Sequence, residues 1–185
     1  MNIKQTLVFV GDSLTEFFDW HKRFPACEVF NFGLAGETVE GLKGRVDSIF
    51  LALRKAGREP DIIFVMTGIN NIAMDDYDII SSYRQAVDAI TTAFSNSKLV
   101  IQSLLPVSLP WVDNRIIQEL NESLRLMAKE LRAEYLDLYD LFITPGSGLR
   151  RECLLDDGVH ISDRGYEVWA EAVEEFLKRL PLQAK

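Results

Sequence analysis

Cysteine and histidine are scarce in this chain, with two of each in 185 residues. Cys27 and Cys153 stand far apart and form no Cys-x-x-Cys pair. That favours two reduced thiols over a disulfide or a thiolate metal site. His21 and His160 cannot supply a histidine-rich cluster, so no metal is expected. Lysine and arginine form no run and no stripe with aromatics, and 20 of them against 28 acids leave a net charge of −8. Nucleic acid and anionic membrane surfaces are therefore poor partners. No apolar run approaches the roughly 20 residues that span a bilayer. The run at the start lacks the length and small-residue cleavage site of a signal peptide, and a cytoplasmic protein is the expectation. Oligomeric state is not legible in the sequence.

Hydrophobic residues make up 48% of the chain and charged residues 26%. With no repeat, linker or low-complexity segment, residues 1–185 read as a single globular domain. Short apolar runs alternate with longer helical patterns. Thr6–Val10, Glu28–Phe32, Asp61–Met66, Leu99–Leu104 and the weaker Glu134–Leu138 read as strands, the first four closed by glycine or proline. Continuous runs of this kind suit strands covered on both faces. Apolar stripes at helical spacing cover about Thr38–Lys55, Ile79–Phe94, Asn114–Leu131 and Ser162–Leu180. Ser162 or Asp163 suits the last as an N-cap and Pro181 as a stop. Five strands alternating with helices predict an α/β fold, a parallel sheet between helical layers joined by right-handed crossovers. In such sheets chemistry collects at the carboxyl ends of the strands.

Three features fall at those ends, after strands one, two and three, and a fourth lies before the last helix. Gly11-Asp12-Ser13-Leu14-Thr15 follows the first strand and puts a serine hydroxyl beside backbone N–H groups. The pentapeptide alone equally suits a helix cap or a phosphate contact, and it is not a G-x-S-x-G elbow. Asp157-Gly158-Val159-His160 precedes the last helix. A serine needs a base, and the base needs an acceptor to orient its ring, and this tetrapeptide offers both. Gly36 closes the second strand's turn in Asn31–Thr38, where a backbone N–H suits an oxyanion. The phosphate-loop alternative fails there, because Leu42-Lys43 replaces the Lys-Ser/Thr that must follow Gly41. Asn70, after the third strand, can add a carboxamide donor. Asn71 beside it reads as an Asx-type turn residue. His21 follows an aromatic cluster and reads as surface or packing. Together the four features supply the nucleophile, base, orienter and oxyanion donors of acyl transfer.

With these residues in place, the sequence resembles the SGNH hydrolases, also called GDSL esterases and lipases. The resemblance runs from Gly11-Asp12-Ser13-Leu14 to the helix after His160. It implies Ser13 as nucleophile, with Gly36, Asn70 and His160 at the other named positions and Asp157 as third member of the triad. It also implies a flavodoxin-like three-layer α/β/α sandwich with a five-stranded parallel sheet. One departure stands out. Asn71 occupies a position where the family usually carries an acid, which puts the support of the nearby loops in question.

The expected function is hydrolysis of carboxylic esters, small or lipid-like, through an acyl-enzyme and without metal or organic cofactor. Phe17 and Trp111 are candidate substrate contacts, although Phe17, Phe18 and Trp20 equally suit packing. The segment Thr144–Gly148 reads as a mobile loop near the site. The alternative is a catalytically inactive module on the same fold that binds a phosphate or another ligand. The sequence does not distinguish an acetylated sugar, a lysophospholipid, a thioester or an aryl ester, nor an acyl chain length.

Overall fold

In the computed structural model, which describes residues 4–146 and 148–180, the five apolar runs form one sheet. Its strands are β1 (Thr6–Gly11), β2 (Glu28–Gly33), β3 (Ile62–Met66), β4 (Lys98–Gln102) and β5 (Glu134–Leu136). All neighbours pair in parallel, in the order β2-β1-β3-β4-β5. This is the flavodoxin-like order, with β1 and β3 in the middle. Gly11 pairs with Gly33 on one side and Met66 on the other, so the central three strands end level. Their loops therefore open onto one shared edge.

The helices are α1 (Ser13–Glu16), α2 (Trp20–Arg23), α3 (Val39–Lys55), α4 (Ile69–Ala73), α5 (Ile80–Ala93), α6 (Asn114–Leu131) and α7 (Asp163–Arg179). The four long ones match the predicted stripes to within a residue at each end. Thr38 and Ser162 cap α3 and α7 by accepting the amides of Gly41 and Gly165. Pro181 lies outside the described residues. On one face α3 packs on α5 through Phe50 and Phe94, and α5 reaches α6 through the Arg84–Glu130 ion pair. On the other, α7 meets α2 through Trp169 against Trp20 and Arg23 against Glu174. The result is a three-layer α/β/α sandwich.

Two strands stop two residues short of expectation, for one reason, while the other ends shift by no more than one residue. β4 stops at Gln102 and not at Leu104, because the Leu104 amide and carbonyl are both taken by the Asn121 carboxamide of α6. β5 stops at Leu136 because the Leu138 and Tyr139 amides turn to the buried Ser103 Oγ. Side chains that imitate a neighbouring strand end the ladder early. Trp20 belongs to the core and the partly buried Phe18 packs against it. Trp20 is fully buried, stacked on Phe9 with ring centroids 3.9 Å apart, and Phe18 stacks on Tyr166. His21 is exposed on α2. At 144–148 the Thr144 amide donates to Gly148 O at 2.7 Å, and Ile143 bridges Leu149. Ser147 lies outside the described residues.

Candidate active site

The first strand is apolar until it meets Asp12, and there the chain turns. Asp12 caps α1, its Oδ1 accepting the Leu14 amide at 3.0 Å while its carbonyl accepts the Thr15 and Glu16 amides. Ser13 is thereby fixed as the first residue of α1, only 4% exposed. Tyr166 of α7 donates its hydroxyl to Leu14 O at 3.1 Å and ties the turn to the last helix. Gly11 cannot be larger, since a Cβ there would lie 2.1 Å from Met66 O and 2.4 Å from Thr15 Oγ1.

Asp157 and His160 come from the loop before α7. Asp157 Oδ1 accepts the amides of Val159 and His160, each at 2.9 Å, and so folds the tetrapeptide into a tight turn. Its Oδ2 lies 2.7 Å from His160 Nδ1. On the opposite side of the ring, Nε2 lies 3.0 Å from Ser13 Oγ. Partial burial pushes the Asp157 carboxyl up, but the two amides and the imidazole outweigh it, leaving it below the usual carboxylate range. An ionised Asp157 only accepts, so Nδ1 carries the ring proton and Nε2 is free to accept from the serine hydroxyl. The Ser108 amide donates to Gly158 O at 2.7 Å, anchoring the turn to the segment after β4.

The predicted oxyanion donors lie on the neighbouring loops. Leu34–Glu37 is a turn closed by the Glu37 amide on Leu34 O, with Gly36 at φ +76°, the third-position angle of a type II turn. Glu16 Oε2 accepts the Ala35 amide at 2.6 Å and binds this turn to α1. Asn70, in α4, donates through Nδ2 to Glu37 O at 2.9 Å. Among the described residues the amides of Ser13 and Gly36 have no acceptor within the chain, and neither has the second N–H of the Asn70 carboxamide.

Asn71 behaves differently from the expected Asx turn. Its Oδ1 accepts the Val39 amide of α3 at 3.0 Å, while Nδ2 donates to Glu40 at 3.0 Å and Asp76 at 2.8 Å. A neutral amide both accepts from the α3 amide and donates to two acids, which a carboxylate in its place would repel. The contact with Asn71 is the chief reason the Glu40 carboxyl is held below its ordinary value. Loop support is thus present, with its charges rearranged.

Sequence reasoning missed a buried clamp under the Gly36 turn. Glu37, nearly enclosed, forms a two-pronged ion pair with Arg45 of α3, and Arg45 Nη2 also donates to Phe32 O at 2.6 Å and Gly11 O at 3.3 Å. One guanidinium therefore holds the ends of β1 and β2 together. The signal was available: Arg45 stands three residues after Leu42 and four before Ile49, on the apolar stripe.

Around this floor several large apolar side chains are exposed among charged ones. Eight large hydrophobic residues are exposed among those described, and Phe17, Leu34, Met74, Trp111 and Leu155 sit on loops at the carboxyl edge of the sheet. Phe17 is 59% exposed with its ring 5.6 Å from that of His160. It borders a cavity of about 740 Å³ that His160, Leu155, Arg164 and Tyr166 also line. Trp111 lies elsewhere on the rim, its Nε1 donating to Ala73 O at 3.3 Å beside Met74. No helix is long and apolar enough to cross a membrane, and no cluster of three metal-ligating side chains is found, in each case among the described residues.

An all-parallel sheet under two helical layers, with these loops at its carboxyl edge, is the three-layer α/β/α hydrolase fold. Residues 9–168 match the model of the GDSL-like lipase/acylhydrolase family, and the chain belongs to that family. It is similar to platelet-activating factor acetylhydrolase IB subunit alpha2 of Rattus norvegicus, 24% identical over 183 residues, covering 94% of this chain and 76% of the relative. Among solved structures it resembles a lipase/acylhydrolase from Enterococcus faecalis, at 21% identity and TM-score 0.77, covering 98% of this chain and all (100%) of the other. It also resembles a mutant acetyl-xylooligosaccharide esterase from Geobacillus Stearmophilus, at 18% identity and TM-score 0.71, with 100% of each chain covered. At these identities the structural likenesses speak for the fold alone.

Proposed function

We propose that the chain hydrolyses carboxylic esters by an acyl-enzyme route, with Ser13, His160 and Asp157 as its triad. The observation that carries this reading is the continuous hydrogen-bonded line from Ser13 Oγ to His160 Nε2 (3.0 Å) and from Nδ1 to Asp157 (2.7 Å). Ser13 Oγ attacks the carbonyl carbon as His160 Nε2 takes its proton. Asp157 keeps the ring in the required tautomer and stabilises the imidazolium. The Ser13 and Gly36 amides and the free Asn70 N–H receive the oxyanion. The imidazolium then protonates the departing alcohol, and water, deprotonated by His160, releases the acid.

The apolar rim favours an ester with a sizeable apolar portion over a wholly polar one, with Phe17 and Trp111 among its contacts. The sugar acetates and platelet-activating factor named for the relatives fall within carboxylic ester hydrolysis, and the rim weights the choice towards the more apolar. Hydrolysis of p-nitrophenyl acetate, butyrate and octanoate by wild type and Ser13→Ala tests both parts. Wild type is expected to cleave all three, with KM falling as the acyl chain lengthens. Ser13→Ala is expected to lose both turnover and labelling by a fluorophosphonate. A Ser13→Ala protein that still labels at the wild-type rate would remove Ser13 from the mechanism, and a wild type that hydrolyses none would favour a binding module.

A further inference from the structure

Asp12 has one carboxylate oxygen accounted for and one not. Oδ1 caps α1, whereas Oδ2 is buried and has no hydrogen-bond partner among the described residues. The side chain is sealed inside the turn that carries Ser13, the residue as a whole being 1% exposed. A carboxylate buried without a counter-charge is costly, and such a group ordinarily binds a proton instead. Among the described residues, Arg45, which reaches Gly11 O beside Asp12, is already engaged: it spends its guanidinium on Glu37, Phe32 O and Gly11 O. The other groups that bear on Asp12 are the Glu37 carboxylate and the phenols of Tyr83 on α5 and Tyr166 on α7. His160 approaches from the far side of Ser13. None of them supplies a positive charge against Oδ2 in the resting site. Two hydroxyl oxygens of the same region, Thr15 Oγ1 and Thr67 Oγ1, are likewise buried and unpartnered among the described residues.

We infer that Asp12 is a positioning residue that works as a neutral carboxylic acid, holding the nucleophile's turn through Oδ1 while Oδ2 keeps a proton and the site stays free of a second buried anion. This rests on the reading of Ser13 as nucleophile. The reason for neutrality is the reaction itself. A negative charge develops on the substrate oxygen next to Ser13, and an anion enclosed at the preceding residue opposes it in a medium that screens poorly. The physical environment agrees in direction, since burial and then the nearby Glu37 charge push the Asp12 carboxyl up to about 7, against the Leu14 amide.

Two consequences separate this from a merely structural cap. First, kcat for p-nitrophenyl butyrate falls on the alkaline side in wild type, by about fivefold or more between pH 6.5 and 9. Asp12→Asn, which keeps the capping oxygen and offers an N–H in place of the acid proton, loses that alkaline limb. Asp12→Ala, lacking the cap, has a kcat at least about tenfold below that of the Asn variant across the range. Second, the acid's raised pKa makes the folded state hold a proton that the unfolded chain has released. Its contribution to stability is full below about 3.8 and is lost as pH climbs through about 7. The melting temperature of wild type therefore drops relative to Asp12→Asn over that window.

A wild-type kcat that stays level from pH 7 to 9, or an Asn variant with the wild-type alkaline limb, overturns the inference. So does an Asn variant as impaired as Asp12→Ala. Fluorophosphonate labelling of wild type in the same experiment keeps the two readings apart. If Ser13 labels and the profile is level, Asp12's role fails alone. If Ser13 neither labels nor hydrolyses ester, the esterase reading fails and takes this one with it.

Discussion

The two halves of the site are built in opposite ways. The half that holds Ser13, the proposed nucleophile, is a floor made of strand ends: Asp12 and Ser13 are enclosed, Gly11 fits only as glycine, and Arg45 staples the Gly11 and Phe32 carbonyls together. The half that holds His160, the proposed base, is a surface turn. The Asp157 side chain is 50% exposed and that of His160 31%, held by two local amides and one bond from Ser108. A buried group is positioned by packing and is costly to disturb; an exposed one is positioned by a few hydrogen bonds and is cheap to disturb for the fold. Substitutions in the exposed half should therefore damage turnover with little effect on stability, and those that strip packing or a hydrogen bond from the floor should damage both.

The largest expected effect is on the exposed side. Asp157→Asn leaves the turn's size unchanged but lets the amide donate to the ring and so favours the wrong tautomer. A loss in kcat on the order of 10⁴ is expected, by analogy with other triads. The melting temperature should move little, because the substituted group is half in water. Loss of several degrees would show that the turn is part of the cooperative core and would break the division between the halves.

On the buried side, Arg45→Met strands the Glu37 carboxylate. Breaking a buried pair in this way costs about 3–5 kcal/mol, readable as a shift of the urea midpoint at constant m-value. Adding Glu37→Gln removes the stranded charge and should recover part of the loss. If the double variant is no more stable than Arg45→Met alone, the clamp acts through its carbonyl bonds and not its charge. Asn70→Ala lies between the two regimes. It removes the proposed oxyanion donor and the bond to Glu37 O, with an expected drop in kcat on the order of 10²–10³ and a KM nearly unchanged. A change confined to KM would place Asn70 in ground-state binding instead.

The same contrast explains what the sequence made legible. Long stripes such as Asn114–Leu131 and closed apolar runs such as Thr6–Val10 announce their period directly, and α6 begins and ends where its stripe does. The grouping of Ser13, Asp157 and His160 was foreseeable because residue types limit what can attack, abstract and orient, and the structure brings the three into one hydrogen-bonded line. Helices of four or five residues, such as α1, α2 and α4, were not, being too short to show a period. The long reach of Asn71 to α3 was hidden because an Asx turn needs only its neighbours, whereas this contact needs the sheet to bring β2's and β3's loops together. Burial of Asp12 was equally out of view, since an acid beside a glycine looks like any turn acid until three strands end level around it. Leu34, Met74 and Leu155 look like ordinary loop residues one at a time, and become a rim only by their shared position.

That rim allows the mildest substitution to test the boundary between the halves. Phe17 follows the buried floor in sequence, yet its ring stands in water against the His160 ring of the exposed half. Phe17→Ala removes apolar contact area without touching a hydrogen bond of the triad. For p-nitrophenyl octanoate KM should rise about three- to tenfold, and for the acetate less than about twofold, because a short acyl group does not reach the ring. Stability should hold, since the ring is mostly exposed. An equal rise for both esters would mean that Phe17 acts by steadying His160 and not by meeting the acyl chain. The base's half would then depend on the rim as well as on Asp157, and its independence from the floor would end at Phe17.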